Sequence, residues 1–390
     1  MTELSNLIGA AEGSHLEFKS EQVKPDDLAK EIVALLNFEG GKILLGVEDD
    51  GTISGVHRPD VEEWLINICR NNVVPQMIPG YQKLSVEGKN VIVLDIPPGI
   101  AKPYHTQKGD YYIRAGSTAR KASREKLSRL FQDSGLVHYE TTPIPNTTLA
   151  DLDKHRLRDY FLNLHPARLN IDNEDAGARN RMLQNLAILA QEGAQTTVAG
   201  MLMFGAQPER HLPQSEVLFA HFKGKEINDE LLDRKNLTGP LPQIVDDTQR
   251  ILRLNLQSAS TIIGMKRVEQ VIFPENVLRE LLVNALIHRR WGLMGNVRIL
   301  MFENRLEFHS PGRLPNGVTI EKMRESTHVP RNPILMKFMQ DYHFVEKIGR
   351  GIPMVFREMK KLTNREPDLV ESGEEFIVTL YRKPARKRSK

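Results

Sequence analysis

Apolar and polar positions change period along the chain, and the changes mark out its elements. Over 25–38 the apolar residues of LAKEIVALLNF recur at helical spacing, and Gly40-Gly41 stops the run. Residues 42–47 are almost wholly apolar, which predicts a strand in the middle of a sheet. Asp49-Asp50-Gly51 supplies a turn, 52–56 its return strand and 61–71 a second helix, with further strands at 81–86, 90–96 and 110–114. The Pro- and Thr-rich stretch TTPIPNTT at 141–148 reads as a linker. Beyond it the pattern predicts helices over 149–164, 178–192 and 246–258, the last leading into 267–273, and strands at 196–204 and 216–222. The densest segment is 273–290, FPENVLRELLVNALIHRR. There Pro274 and Glu275 suit a first helical turn, and Val277, Leu278, Leu281, Leu282, Ala285 and Leu286 fall at helical spacing. Strands at 296–300 and 305–309 lead into Ser310-Pro311-Gly312, and Gly349 and Gly351 precede an amphipathic run.

At 390 residues the chain is too long for one ordinary core. The fold class is α+β, with an N-terminal α+β domain at 1–137 and a small α+β connecting domain at 149–271. A basic tail at 383–390 ends it, and the domain between, at 272–382, is an α/β sandwich by the family resemblance given below. A hydrophobic share of 40% and a charged share of 26% are those of a globular protein, and a net charge of +3 permits a nucleic-acid partner without demanding one. A single cysteine, Cys69, excludes an internal disulfide framework and a cysteine-rich zinc site. No leader pattern opens the chain and no apolar run is long enough to span a bilayer, so a cytoplasmic protein without membrane contact is expected.

Three groups of residues carry candidate chemistry. Glu12, Glu17 and Asp49 (or Asp50 beside it), with Lys19, could hold one or two divalent ions on a phosphodiester, although Asp-Asp-Gly is also a common hairpin turn. Tyr104, Lys108, Tyr112, Arg114, Arg120 and Lys121 interleave aromatics with cations, as a surface tracking a backbone and stacking bases would. The solvated side of a hairpin reads the same way. Glu280, Asn284 and His288 fall on one side of the 273–290 helix, where an acid and an amide could activate water and hold Mg²⁺. A plain polar helix face is the alternative. A stripe of Asp151, His155 and Asp159 in the middle of the chain reads as a solvated face before a metal site.

The surrounding words add a resemblance at each end. EGSHLEFKSE, LLNFEGGKILLGVEDDGTISGV and KPYHTQKGDYYIRAGSTARKA together resemble the Schlafen-type AlbA-like domain. That resemblance implies a metal-dependent endoribonuclease of tRNA- and rRNA-like substrates, with Glu12, Glu17 and Asp49 as ligands of Mg²⁺ or Mn²⁺ and Lys19 assisting. RELLVNALIHR, SPGRLP and RNP at 331–333 resemble the GHKL ATP-binding fold, in its divergent RecG-C-terminal-like branch. That implies ATP as cofactor, Glu280 as general base, Asn284 as the Mg²⁺ ligand, His288 beside them, and Gly312, Gly349 and Gly351 in the phosphate and adenine loops. The turn His309-Ser310-Pro311-Gly312 stands where that superfamily has an adenine-binding Asp. Together the resemblances imply a nucleotide-regulated nuclease with RNA favoured over DNA, a defence or stress role and homo-oligomeric assembly. The alternative is a non-catalytic nucleic-acid-binding regulator with an ATP-sensing domain.

Overall fold

The computed structural model describes residues 3–86, 88–167, 170–256, 260–263, 266–269, 272–315, 318–325, 329–345 and 350–383. Gly349 and the basic tail from 384 onward lie outside the described residues. The chain forms two compact units, Met1–Val137 and His138–Lys390.

In the first unit, α1 (Glu3–Gly9), β1 (Leu16–Lys19), α2 (Pro25–Leu36) and β2 (Gly41–Leu45) lead to α3 (Val61–Asn71) and the two-residue β3 (Val73–Val74). β4 (Gly80–Val86), β5 (Lys89–Ile96), the short β6 (His105–Thr106), β7 (Tyr112–Ala115), β8 (Thr118–Lys121) and α4 (Arg124–Asp133) follow. The main sheet has the order β1-β2-β5-β4, with β1 parallel to β2 and the other pairs antiparallel. The apolar run of β2 is explained by burial on both faces. Ile43 and Leu45 pack with α2 and α3, while Leu44 packs with Leu16, Phe18 and Val93 on the other side. Asn37, just past α2, donates from Nδ2 to the carbonyls of Tyr104 and Tyr112 (2.8 Å each) and accepts from Tyr104 N–H at 2.7 Å. It thereby ties the helix end to β6 and β7. The return strand expected at 52–56 is only an isolated bridge between Val47 and Ile53.

The second unit begins with short helical turns and α5 (Lys154–Asp159), which continues into a π-helical turn over Tyr160–Leu164. Next come α6 (Ala176–Asn185), α7 (Val198–Phe204), β9 (Val217–Phe222), β10 (Leu231–Leu237), α8 (Leu241–Leu256) and the hairpin β11 (Ser260–Ile263) and β12 (Lys266–Glu269). The last third holds α9 (Glu275–Ile287), β13 (Val297–Met301), β14 (Arg305–Pro311), α10 (Ile320–Arg324), α11 (Pro333–Asp341), α12 (Gly351–Thr363), β15 (Asp368–Ser372) and β16 (Glu375–Tyr381). Its main sheet runs β10-β9-β13-β14-β16-β15. Alternate residues of that sheet, among them Phe219, Ile299, Phe308 and Val378, enter one core with α7, α8, α9, α11 and α12.

That sheet corrects the expected division at 271. β9 pairs in parallel with β13, so strands assigned to a connecting domain belong to the same sheet and core as the C-terminal strands. The strand expected at 196–204 is helix α7. All seven of its residues are buried, so no polar face reveals its period, and Thr197 caps it by accepting from Gly200 N–H. The helix expected over 149–164 is interrupted where Asp153 caps α5, so Asp151 does not share a helix with His155 and Asp159. In the 267–273 region only the β12 residues form a strand among those described.

Candidate functional site

The N-terminal carboxylates do not assemble as expected. Glu17 sits in β1 with its side chain turned toward α2, and there it meets Arg114 of β7 and Glu31 of α2. Arg114 Nη1 lies 2.8 Å from Glu17 Oε2 and 2.8 Å from Glu31 Oε2, and Nη2 donates to Gly13 O at 2.6 Å. Lys19 completes the group by bonding Glu17 Oε1 and, at 2.9 Å, Phe18 O. The Arg114 side chain is fully enclosed. Two carboxylates thus face one guanidinium and the Lys19 ammonium, with Lys30 Nζ 3.8 Å from Glu31 Oε1 as a further cation, so each carboxylate charge is compensated inside the fold. Burial and the neighbouring Glu17 charge push the Glu31 carboxyl above its ordinary value. Burial alone would lower the Lys19 ammonium, but its bond to Glu17 and the nearby carboxylates hold it above its usual value.

Glu12 Oε1 accepts from Phe18 N–H at 2.9 Å, so it braces the start of β1. Asp49 is exposed in the turn after β2, and Asp50 accepts from Thr52 N–H at 2.8 Å. Among the described residues no group of three or more His, Cys, Asp or Glu could hold a metal ion. The expected ligand set of Glu12, Glu17 and Asp49 therefore does not fit a divalent ion in this arrangement. Glu17 is bonded to two cations and Asp49 stands apart on its turn. Glu31 was missed by the sequence reading, although it lies three residues from Leu28 and four from Leu35 on a buried face of α2. A lone acid in that phase needs a cation, and Arg114 supplies it.

The proposed nucleic-acid surface is smaller than expected. Tyr104 is a core residue, and Arg114 is internal. Tyr112 is half-buried against α2, with Lys30 Nζ 5.9 Å from its ring centre. Lys108, Arg120 and Lys121 remain at the surface. Lys108 pairs with Asp26 at 2.6 Å and Lys121 with Asp110 at 2.9 Å, while Arg120 Nε lies 3.4 Å from Thr118 Oγ1. Tyr112 and Arg114 share the inward face of β7, Arg120 and Lys121 end β8 at the surface, and Tyr104 and Lys108 lie outside the strands.

In the second unit, Glu280, Asn284, His288, Gly312 and Gly351 line one cavity of about 820 Å³. That volume lies within the range of small-ligand sites. Glu280, Asn284 and His288 come from successive turns of α9, and Asn284 Nδ2 donates to Glu280 Oε1 at 2.7 Å. The Asn284 amide oxygen is thus the atom that would meet a cation. Leu281, Phe308, Met336, Phe376 and Val378 give the cavity apolar walls. Gly312 is needed by geometry, and Gly351 leaves room for the Glu280 carboxylate. Gly312 has φ +113°, and a Cβ there would lie 2.9 Å from Arg290 Cβ; at Gly351 a Cβ would overlap the Glu280 carboxylate. Gly351 opens α12 and is thus the residue that makes room for Glu280.

The RNP sequence explains how α9 is held. Arg331 Nη1 donates to His288 O at 2.7 Å, and Asn332 Nδ2 donates to Ile287 O (2.7 Å) and Arg289 O (2.9 Å). These bonds satisfy carbonyls that a helix C-terminus leaves without partners. Pro333 then starts α11, whose first-turn N–H groups at Ile334 and Leu335 each donate to the buried Glu140 carboxylate at 2.8 Å. Burial pushes the Glu140 carboxyl up to about 7 against the opposing effect of those two bonds. Ser310 Oγ donates to Ala285 O at 2.8 Å and locks β14 against α9.

Residues 12–123 match the family described as "Schlafen, AlbA_2", and residues 295–380 match the family described as "Putative ATP-dependent DNA helicase recG C-terminal". The chain carries a Schlafen AlbA_2 domain followed by a RecG-C-terminal-like domain. The second match begins after α9, so the place of Glu280, Asn284 and His288 rests on the cavity itself. No curated protein matches the chain. Among solved structures, the DIP2311 protein from Corynebacterium diphtheriae is similar at 21% identity, over 97% of this chain and 79% of its own, with a TM-score of 0.49. The N-terminal domain of a protein described as "Putative ATP-dependent DNA Helicase RecG-related" from Nitrosomonas europaea is similar at 24% identity. That similarity covers 32% of this chain and 95% of the other, with a TM-score of 0.25. Among the described residues no helix is long and apolar enough to cross a membrane.

Proposed function

We propose that this chain is a nucleotide-responsive nucleic-acid-binding protein, with the nucleotide in the α9 cavity and nucleic acid at the first unit. The observation that carries it is the 820 Å³ cavity, in which an acid, an amide, the left-handed Gly312 and Gly351 meet apolar walls and several arginines. Such walls suit a base and sugar, and the arginines suit phosphates. Mg²⁺ bound with the nucleotide would be met by the Asn284 amide oxygen and would neutralise phosphate charge. Glu280, held by Asn284 and seated against Gly351, is placed to orient a water. Support for the nucleic-acid half comes from the two domain matches and from the exposed cations Lys108, Arg120 and Lys121.

The metal-dependent endoribonuclease reading has the domain match in its favour but not the donor set, because Arg114 and Lys19 hold Glu17. The deciding experiment measures binding of labelled RNA and DNA by the full chain across salt concentrations, with and without ATP and Mg²⁺, and examines the recovered nucleic acid for cuts. Salt-sensitive binding that shifts with ATP, and loses that shift in Asn284→Ala, is expected. Metal-dependent cutting abolished by Glu17→Gln would replace this proposal with the nuclease.

A further inference from the structure

The charges around the α9 cavity are unequal. Arg279, Arg313, Arg331, Arg350 and Arg357 line it, whereas Glu280 is the one carboxylate among its described lining residues. Three of these arginines have work within the fold. Arg331 bonds His288 O, Arg313 Nε donates to Gly373 O at 2.9 Å, and Arg357 Nε meets Glu358 at 3.1 Å. The side chains of Arg279 and Arg350 have no hydrogen-bond or ion-pair partner among the described residues. Arg279 precedes Glu280 on α9, and Arg350 precedes Gly351 at the start of α12. Two such guanidiniums beside a cavity are suited to a polyanion, which they can bind through paired N–H donors.

The walls are far less selective toward a base. The Ser310 hydroxyl is buried and donates to Ala285 O, so it is turned to α9. The amide of Asn284 is bonded to Glu280, and Asn276 Nδ2 lies 3.3 Å from Met354 Sδ. Gln340 offers both a donor and an acceptor, so it can turn to suit either purine edge. Apolar walls separate ligands of similar shape only weakly, whereas strong discrimination needs fixed polar partners.

Building on the nucleotide reading, we infer that the cavity selects its ligand by phosphate charge and not by base: it takes nucleoside triphosphates of any base, with Arg279 and Arg350 as the phosphate-reading residues. The test is calorimetric titration of the full chain with ATP, GTP, CTP, AMP and adenosine in Mg²⁺. The same titrations are repeated on Arg279→Ala, Arg350→Ala and their Lys counterparts, with thermal melts to verify folding. The three triphosphates should bind within about threefold of one another, as weakly discriminating walls allow, and adenosine should bind far more weakly. Each Ala variant should weaken all three triphosphates alike by about 10- to 100-fold, the worth of a charge-assisted contact, and Lys should restore part of the loss. ATP binding more than about tenfold tighter than GTP and CTP would overturn the inference while leaving the nucleotide reading intact. Equal triphosphate binding that neither Ala variant weakens would remove the two arginines from it. Failure of every phosphate ligand to bind would remove the nucleotide reading, and the inference with it.

Discussion

The two units set arginines against carboxylates in opposite ways. In the first, Arg114 is enclosed between Glu17 and Glu31, with Lys19 bonded to Glu17 and Lys30 3.8 Å from Glu31, so each carboxylate is met by cations of the fold itself. In the second, five arginines and one carboxylate line a cavity among the described residues, and the side chains of two of those arginines have no polar partner among them. A charge cluster closed on itself is a structural joint, and one left unbalanced around a void is a place for a ligand. By sequence alone the acids of the first unit resembled a catalytic set as strongly as Glu280 and Asn284 did. Compensation separates them.

The largest effect should come from breaking the closed cluster. Arg114→Met would leave Glu17 and Glu31 buried together with Lys19 and the more distant Lys30 as their remaining cations, and should destabilise the chain by about 3–5 kcal/mol. Urea unfolding would measure it. Adding Glu31→Gln to that variant should recover part of the loss, whereas Arg279→Ala in the second unit should leave the unfolding midpoint unchanged. An Arg114→Met chain as stable as the parent would end the distinction drawn here.

Glu140 sharpens the comparison because it is a buried carboxylate held by two N–H groups rather than by a cation. Its folded carboxyl titrates near 7 against an ordinary 4.5, so between these values the folded chain binds more protons than the unfolded one. Its contribution is therefore fully present below about pH 4.5 and is lost as pH rises through 7, a change of roughly 3 kcal/mol at about 1.4 kcal/mol per unit. Comparing unfolding free energies of the parent and Glu140→Gln at pH 4.5 and pH 8 should show this difference. A pH-independent gap between the two would refute it. A smaller loss is expected from Asn332→Ala, which strips partners from the Ile287 and Arg289 carbonyls and should destabilise by about 1–3 kcal/mol in the same assay.

Much of this was legible in the chain. α2, α3 and α9 follow from apolar spacing, and β2 follows from its continuous apolar run. Five of the six residues expected at a nucleotide meet at one cavity because α9 keeps every fourth residue on one side, while Gly349 falls outside the described residues. What escaped the sequence depends on tertiary partners. α7 looked like a strand because burial on all sides erases its period. Glu31 was passed over because nothing local announces that Arg114, 83 residues away, will reach it. Arg114 and Tyr104 resemble a binding surface in sequence because only their tertiary partners, Glu17 and Glu31 for Arg114 and Asn37 for Tyr104, turn them inward.

The smallest structural effect, and the sharpest functional one, belongs to the cations left at the surface. Lys108 and Lys121 are exposed and pair with the exposed Asp26 and the partly exposed Asp110, so their removal takes away contacts that water already weakens. The triple variant Lys108→Ala, Arg120→Ala, Lys121→Ala should therefore melt at the same temperature as the parent. If these side chains meet phosphates, the plot of log affinity against log salt for RNA or DNA should become shallower by up to about 3, close to one per lost cation. A smaller drop would mean that Asp26 and Asp110 keep their partners in the complex. An unchanged slope would place the nucleic acid elsewhere on the first unit, since an exposed cation that contacts phosphate cannot be removed without releasing fewer counterions.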